Sequence, residues 1–207
     1  FTWGDTQQEC YENSLAIINE LGEFITEHEA KLGEKAFGGV RYSTRRDARD
    51  LALSIFPFLR GALATHRRSI VHFADTPDVL QFINSNWAPS LAALGTSCPD
   101  HFIRTRIAPL YVDWNPETSS QRDLETAIED GLVAYTERYS RYYEANKEAS
   151  SPALRDPNPS VVLIPGVGMF SFGRSKKEAR ISGEFYANAI HVMAGATALE
   201  DGASEDP

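Results

Sequence analysis

The chain has 207 residues, 42% of them hydrophobic and 24% charged, with a formal net charge of −9. That length suits one large domain, or one domain with an appendage, and is ample for a real core. The acidic balance argues against a general nucleic-acid surface, the apolar runs are far shorter than the roughly 20 residues that span a bilayer, and Cys10 and Cys98 form neither a disulfide framework nor a cysteine-based zinc knuckle.

In chain order, residues 1–4 read as the end of a strand. Asp5 or Thr6 is a plausible N-cap, and Glu9 stands three positions after Thr6 in a capping-box pattern. Cys10, Ser14, Ile17, Ile18, Leu21, Phe24 and Ile25 then recur at helical spacing, which predicts a helix to about His28. A glycine-rich connector follows over residues 31–44. A helix begins near Asp47, with a kink or restart expected at Pro57. "SIVHFAD" reads as a short strand, and "TPDVLQFINS" as a helix with Thr76 at the N-cap and Pro77 at its first position. "SLAALGTSCPDHF" predicts a short helix ending at Gly95, then a loop.

"PLYVDW" reads as a strand. A long helix is expected over 119–149, with the stripe Leu124, Ile128, Leu132, Tyr135, Tyr139 and Tyr142. Its tyrosines fit the edge of a core better than a base-stacking surface. "VVLIPGVGMFSFG" is two short strands or one bent strand, apolar enough to be buried on both faces. A last helix runs from near Ser175 to near Gly195, and an acidic linker or tail occupies 198–207. Helices alternating with short buried strands predict an α/β fold, a three-layer α/β/α sandwich with a small mixed sheet.

The chain repeats itself. "FTWGDTQQEC" at its start matches "FSFGRSKKEA" 169 positions later: Phe1 aligns with Phe170, Gly4 with Gly173 and Glu9 with Glu178. The helical positions Cys10, Ser14, Ile17, Ile18 and Leu21 align with Ala179, Gly183, Tyr186, Ala187 and Ile190, so the same face is expected to be buried in both copies. Duplication explains this, as does the general likeness of strand–turn–helix units. The absence of a methionine at Phe1 reads as a fragment, an excised domain or a processed product.

"FTWGDTQQECYENSLAIINELGEFI" resembles the last strand and helix of a class II aldolase/adducin-type domain. The blocks "GTSCPDHF" and "PGVGMFSFG", within a likeness covering nearly the whole chain, resemble the middle of bifunctional class II aldolase/short-chain dehydrogenases of the rhamnulose-1-phosphate aldolase/L-lactaldehyde dehydrogenase type. The resemblance implies residues 1–30 as the end of an aldolase-type domain, 31–44 as connector and 45–197 as a degenerate class II aldolase-like domain. It also implies flanking aldolase and dehydrogenase domains as partners, and a parent that uses zinc or another divalent metal and NAD in rhamnose catabolism. A cytoplasmic homo-oligomer is expected, with neither nucleic acid nor membrane as partner. In the register of the repeat, Val167 stands where that family has a metal-binding histidine. The family's HxH pair is also missing here, so no cofactor is expected in this segment and no residue is expected to be catalytic.

The histidines His28, His66, His72, His101 and His191 are too widely spaced for a standard ligand pair. Gly166, Gly168 and Gly173 do not have the spacing of a dinucleotide fingerprint, so close packing is the better reading. Tyr143 and Lys147 lie four apart without a Rossmann context and are read as chance. "GTSCPDHFIRTR" is the most promising polar cluster: Thr96, Ser97, His101, Arg104 and Arg106 carry groups that hold phosphate or carboxylate, and a sugar phosphate would suit them. The competing reading is a loop whose Asp100 caps a turn and whose arginines meet surface acids. Cys98 as a nucleophile has His101 near it in sequence but no third partner.

Overall fold

A computed structural model describes residues 2–64, 68–96 and 98–200. Phe1, His66, Ser97 and the expected tail over 201–207 lie outside the described residues. The elements are α1 (Gln7–Leu32), a short 3-10 segment (Gly33–Gly38), α2 (Ala48–Leu63), β1 (Ile70–Ala74), α3 (Pro77–Ile83), α4 (Ala88–Leu94), α5 (Pro99–Thr105), β2 (Leu110–Tyr111), α6 (Gln121–Asn146), β3 (Val161–Ile164), β4 (Gly168–Gly173) and α7 (Lys176–Leu199).

One four-stranded sheet has the order β1-β4-β3-β2. β4 runs antiparallel to both neighbours, and β2 pairs parallel with β3, so the sheet is mixed. Phe73, Phe170, Val162 and Leu110 form one row across it, and Ala74, Met169, Leu163 and Tyr111 form the next. Because successive side chains of a strand point to opposite faces, the first row belongs to the core under α2 and α6, with Ile55, Leu59, Leu124 and Ile128. The second row belongs to the core under α3, α4 and α7, with Phe82, Leu91, Tyr186 and Ile190. Two apolar cores on opposite faces make the three-layer α/β/α sandwich. Every residue of β3 is buried, as its unbroken apolar run requires.

The β3–β4 connection is a tight hairpin. Ile164 pairs with Gly168, and the Val167 N–H donates to the Ile164 carbonyl at 3.1 Å. Gly166 (φ +71°) is obligatory there: a Cβ would stand 2.5 Å from Pro116 Cβ. Asn84 ties this turn to the connector. Its side-chain oxygen accepts from Gly166 N–H at 2.6 Å, its amide donates to Thr44 Oγ1, and its carbonyl accepts from the Arg41 and Tyr42 N–H groups.

Several expectations are corrected. Residues 2–4 pair with no strand among the described residues, since no ladder partner lies beside them. α1 continues past His28 to Leu32, where Gly33 (φ +48°) stops it. α2 passes through Pro57 without ending; the surrounding core, with Ile55 and Leu59 fully buried, overrides the lost hydrogen bond. The loop expected after Gly95 contains α5, with a proline in its first turn, where the missing N–H costs nothing. The stripe of α6 leaves the core before Tyr142, which is 48% exposed, because the helix overruns the sheet beneath it.

Candidate functional site

The polar cluster read from the sequence divides in space. Arg104 lies on α5 and Arg106 caps its end. They line a cavity of about 410 Å³ together with Arg155, Arg174, Ser160 and Ser182. The cavity sits where β4 ends at Phe172 and Gly173, beside Glu178 in the first turn of α7. Thr96 and His101 do not line it. The Thr96 hydroxyl turns to the Cys98 carbonyl at 3.5 Å. The His101 ring packs edge-on against Phe185, with centroids 4.7 Å apart, and its Nδ1 is buried without a hydrogen bond among the described residues.

Arg106 is the most constrained of the four arginines. Its backbone adopts φ +68° and ψ −169°, a region nearly reserved for glycine that costs a side-chain-bearing residue about 1–3 kcal/mol. Its Nη2 donates to the Asp156 carbonyl at 2.9 Å and its guanidinium lies 5.6 Å from the Tyr139 ring centre, yet its Nε is buried with no partner among the described residues. Arg174 stands 3.6 Å from Glu178. Neither Arg104 nor Arg155 forms an ion pair among the described residues. Four arginines from distant parts of the chain thus line one cavity with two serines and the acidic residues Asp156 and Glu178; guanidinium forks and hydroxyls are groups that recognise phosphate or carboxylate. Arg155 and Arg174 were missed by sequence reasoning, because only the fold brings the 155–160 segment and the β4–α7 junction to α5.

A larger cavity, about 600 Å³, lies beside the edge strand β2, but its cations are already engaged. Arg41 lies over Tyr42, Arg138 over Tyr135, and Arg141 reaches Glu137 at 3.9 Å.

Val167, at the expected histidine position, is fully buried in the core under α2 and α6. An aliphatic side chain has no donor atom for zinc, so the residues at this position do not fit a divalent metal. Among the described residues, no three histidine, cysteine, aspartate or glutamate side chains converge. His28 bonds the Phe24 carbonyl, and His191 meets Asp78 at 2.7 Å. His72 is half-buried on β1, paired in register with Ser171. The glycines of "PGVGM" turn a strand into a strand, whereas a dinucleotide loop leads into a helix. Tyr143 donates to the Pro152 carbonyl and Lys147 pairs with Glu144 at 2.6 Å, so both have surface structural roles.

The layered fold and the sequence together define the class. Residues 50–203 match the family described as "Aldolase class II, second domain", and the chain belongs to it. It is similar to a protein of Bacillus subtilis (strain 168) named "Uncharacterized oxidoreductase YuxG", with 38% identity over 200 residues, which is 96% of this chain and 29% of that protein. The chain therefore spans less than a third of that relative's length. No solved structure matches the chain significantly.

Proposed function

We propose that this chain is the connecting, non-catalytic part of a bifunctional class II aldolase/short-chain dehydrogenase. The parent cleaves a sugar phosphate by retro-aldol chemistry and oxidises the released aldehyde with NAD, a reaction pair suited to the catabolism of rhamnose or a related sugar. Residues 45–197 contribute architecture and an inter-domain surface between flanking aldolase and dehydrogenase units. We place the assembly in the cytoplasm as a homo-oligomer; no described helix is long and apolar enough to cross a membrane. The observation that carries this reading is Val167, whose isopropyl group is sealed in the core where the family's metal chemistry calls for an imidazole. The membership in a second-domain family and the oxidoreductase name of the longer relative support the same reading.

The test is an assay of the purified chain with zinc and a phosphorylated deoxyketose, followed by an assay of aldehyde-dependent NAD reduction. Neither activity is expected from the chain alone, and either one would refute the reading. A second reading, a sugar-phosphate or anion-binding module with a regulatory or channelling role, is favoured by one observation: Arg104, Arg106, Arg155 and Arg174 line a single cavity. Calorimetry with phosphorylated ketoses separates the two. Saturable heat that disappears in Arg104→Ala supports the module, and silence at millimolar ligand supports a purely architectural role.

A further inference from the structure

The arginine cavity shares a wall with a second one. Ile103, Arg106 and Arg155 line both it and a groove of about 230 Å³ between α5, α6 and the 152–155 segment. The groove has the opposite chemistry. Among the described residues no acid lines it, and its other walls are the aromatic Phe102, Tyr139 and Tyr143 with the apolar run Pro152 to Leu154. Phe102, Ile103 and Leu154 keep 37–68% of their surface open to water. Two hydrogen bonds hold the walls in place. The Tyr143 hydroxyl donates to the Pro152 carbonyl at 2.6 Å, which ties α6 to the 152–154 segment, and Arg106 Nη2 donates to the Asp156 carbonyl at 2.9 Å. Aromatic walls around an exposed apolar slot, beside a cluster of convergent polar groups, are the usual make-up of a small-molecule site.

We propose that the two cavities form one site, and that its ligand is a phosphate monoester of a flat aromatic group. The phosphate occupies the arginine cavity and the ring lies in the groove. Charge selects the head group. Four arginines against Asp156 and Glu178 leave two positive charges in the cavity, which suits the charge of about −1.5 to −2 that a phosphate monoester carries near neutral pH better than the single charge of a carboxylate. The aromatic walls select the body. A flat ring stacks on Phe102, Tyr139 or Tyr143, and the groove has room for one or two fused rings and not for a long chain. Arg106 joins the halves. Its guanidinium lies 5.6 Å from the Tyr139 ring centre, at the boundary of groove and cavity. Its strained backbone, φ +68° and ψ −169°, is of the kind that collects at ligand clamps. This inference rests on the anion-binding reading of the cavity and goes beyond it, since a bare sugar phosphate leaves the aromatic groove empty.

The test is calorimetric titration of the 207-residue chain with 1-naphthyl phosphate, cyclohexyl phosphate, 1-naphthol and inorganic phosphate. 1-Naphthyl phosphate should bind about tenfold or more tighter than inorganic phosphate, the gain expected from stacking one ring system. Phe102→Ala should remove most of that gain and leave the affinity for inorganic phosphate unchanged, whereas Arg104→Ala should weaken both phosphates. Leu154→Ala, on another wall of the groove, repeats the first test, and circular dichroism with thermal melts shows that each variant is folded. Naphthyl phosphate binding no tighter than inorganic phosphate would overturn the inference and leave the anion-binding reading standing. Equal affinity for cyclohexyl and naphthyl phosphate would overturn the aromatic assignment, and equal affinity for naphthol and naphthyl phosphate would overturn the phosphate assignment. Silence of all four ligands at millimolar concentration would remove the anion-binding reading together with the inference, so the two failures are distinguishable.

Discussion

Gly183 of α7 rests directly on Ser171 of β4: a Cβ on the glycine would stand 2.7 Å from the serine Oγ, which is itself held at 2.8 Å from the Ala179 carbonyl. The helix sits this close to its strand only because the residue has no side chain. Gly183→Ala should therefore destabilise the chain by about 1–3 kcal/mol, since neither neighbour can withdraw without losing a buried hydrogen bond. Urea unfolding measures the difference. In the first copy Ser14 already carries a Cβ against Thr2, and Ser14→Ala should change stability in the isolated chain by less than about 0.5 kcal/mol.

Tyr186 is fully buried and its hydroxyl has no partner among the described residues. Burial drives its ionisation far above the ordinary range for tyrosine, so the ring serves as an apolar filler beneath α7. Tyr186→Phe should be neutral or stabilising by up to about 1 kcal/mol, because the unmet hydroxyl is removed. Tyr186→Ala should cost about 3–5 kcal/mol for the cavity it leaves. A large loss in the phenylalanine variant would mean that the hydroxyl has a partner.

Pro57 stands inside α2, exposed to solvent. Replacing it with alanine restores a helical hydrogen bond without disturbing Ile55 or Leu59. Pro57→Ala should stabilise the fold by about 1–3 kcal/mol, seen as a higher midpoint in thermal melts.

Asp78 and His191 join α3 to α7 at 2.7 Å. Burial would raise the Asp78 carboxyl, but hydrogen bonds from Thr76, His191 and the Val79 N–H outweigh it and hold the carboxyl below its ordinary value. The Asp47 carboxyl is lowered by Arg45, and that of Asp123 by Ser120. A carboxyl whose folded pKa is depressed leaves the unfolded chain binding more protons in acid. Its contribution is complete above the ordinary carboxylate value near ~4 and is lost as pH falls through the folded value. The melting temperature should therefore fall between about pH 4.5 and 2.5, and Asp78→Asn should flatten part of that slope. An identical slope in the variant would remove Asp78 from the account.

What the sequence revealed and what it hid have physical reasons. The helix starts near Ser119 and Ser175, the buried "VVLI" strand and the break between two short strands at the glycines before Met169 are local signals, read from neighbouring residues and fixed by backbone chemistry. The same holds for the repeat, where the Thr6 and Ser175 hydroxyls accept from the Glu9 and Glu178 N–H groups at the starts of α1 and α7. The arginine cavity was only half legible. Arg104 and Arg106 lie two positions apart in sequence, but Arg155 and Arg174 arrive through the topology of β3 and β4, which no local pattern encodes. Proximity in sequence also misled, since Thr96 and His101 belong to the same short stretch yet face elsewhere. α5 was missed because "CPDH" reads as a turn, although proline in a first turn is equally a helix start. The failure at Pro57 is tertiary: a local breaker yields to a deep core.

The central claim is that this α/β/α unit is scaffold within a larger aldolase/dehydrogenase, and one comparison tests it most directly. Retro-aldol cleavage of a phosphorylated deoxyketose is measured with zinc present, side by side for the 207-residue chain and for the intact polypeptide that the gene encodes. The account predicts aldehyde release by the intact polypeptide and none above background by the chain. Cleavage by the chain alone, or none by either, would contradict it.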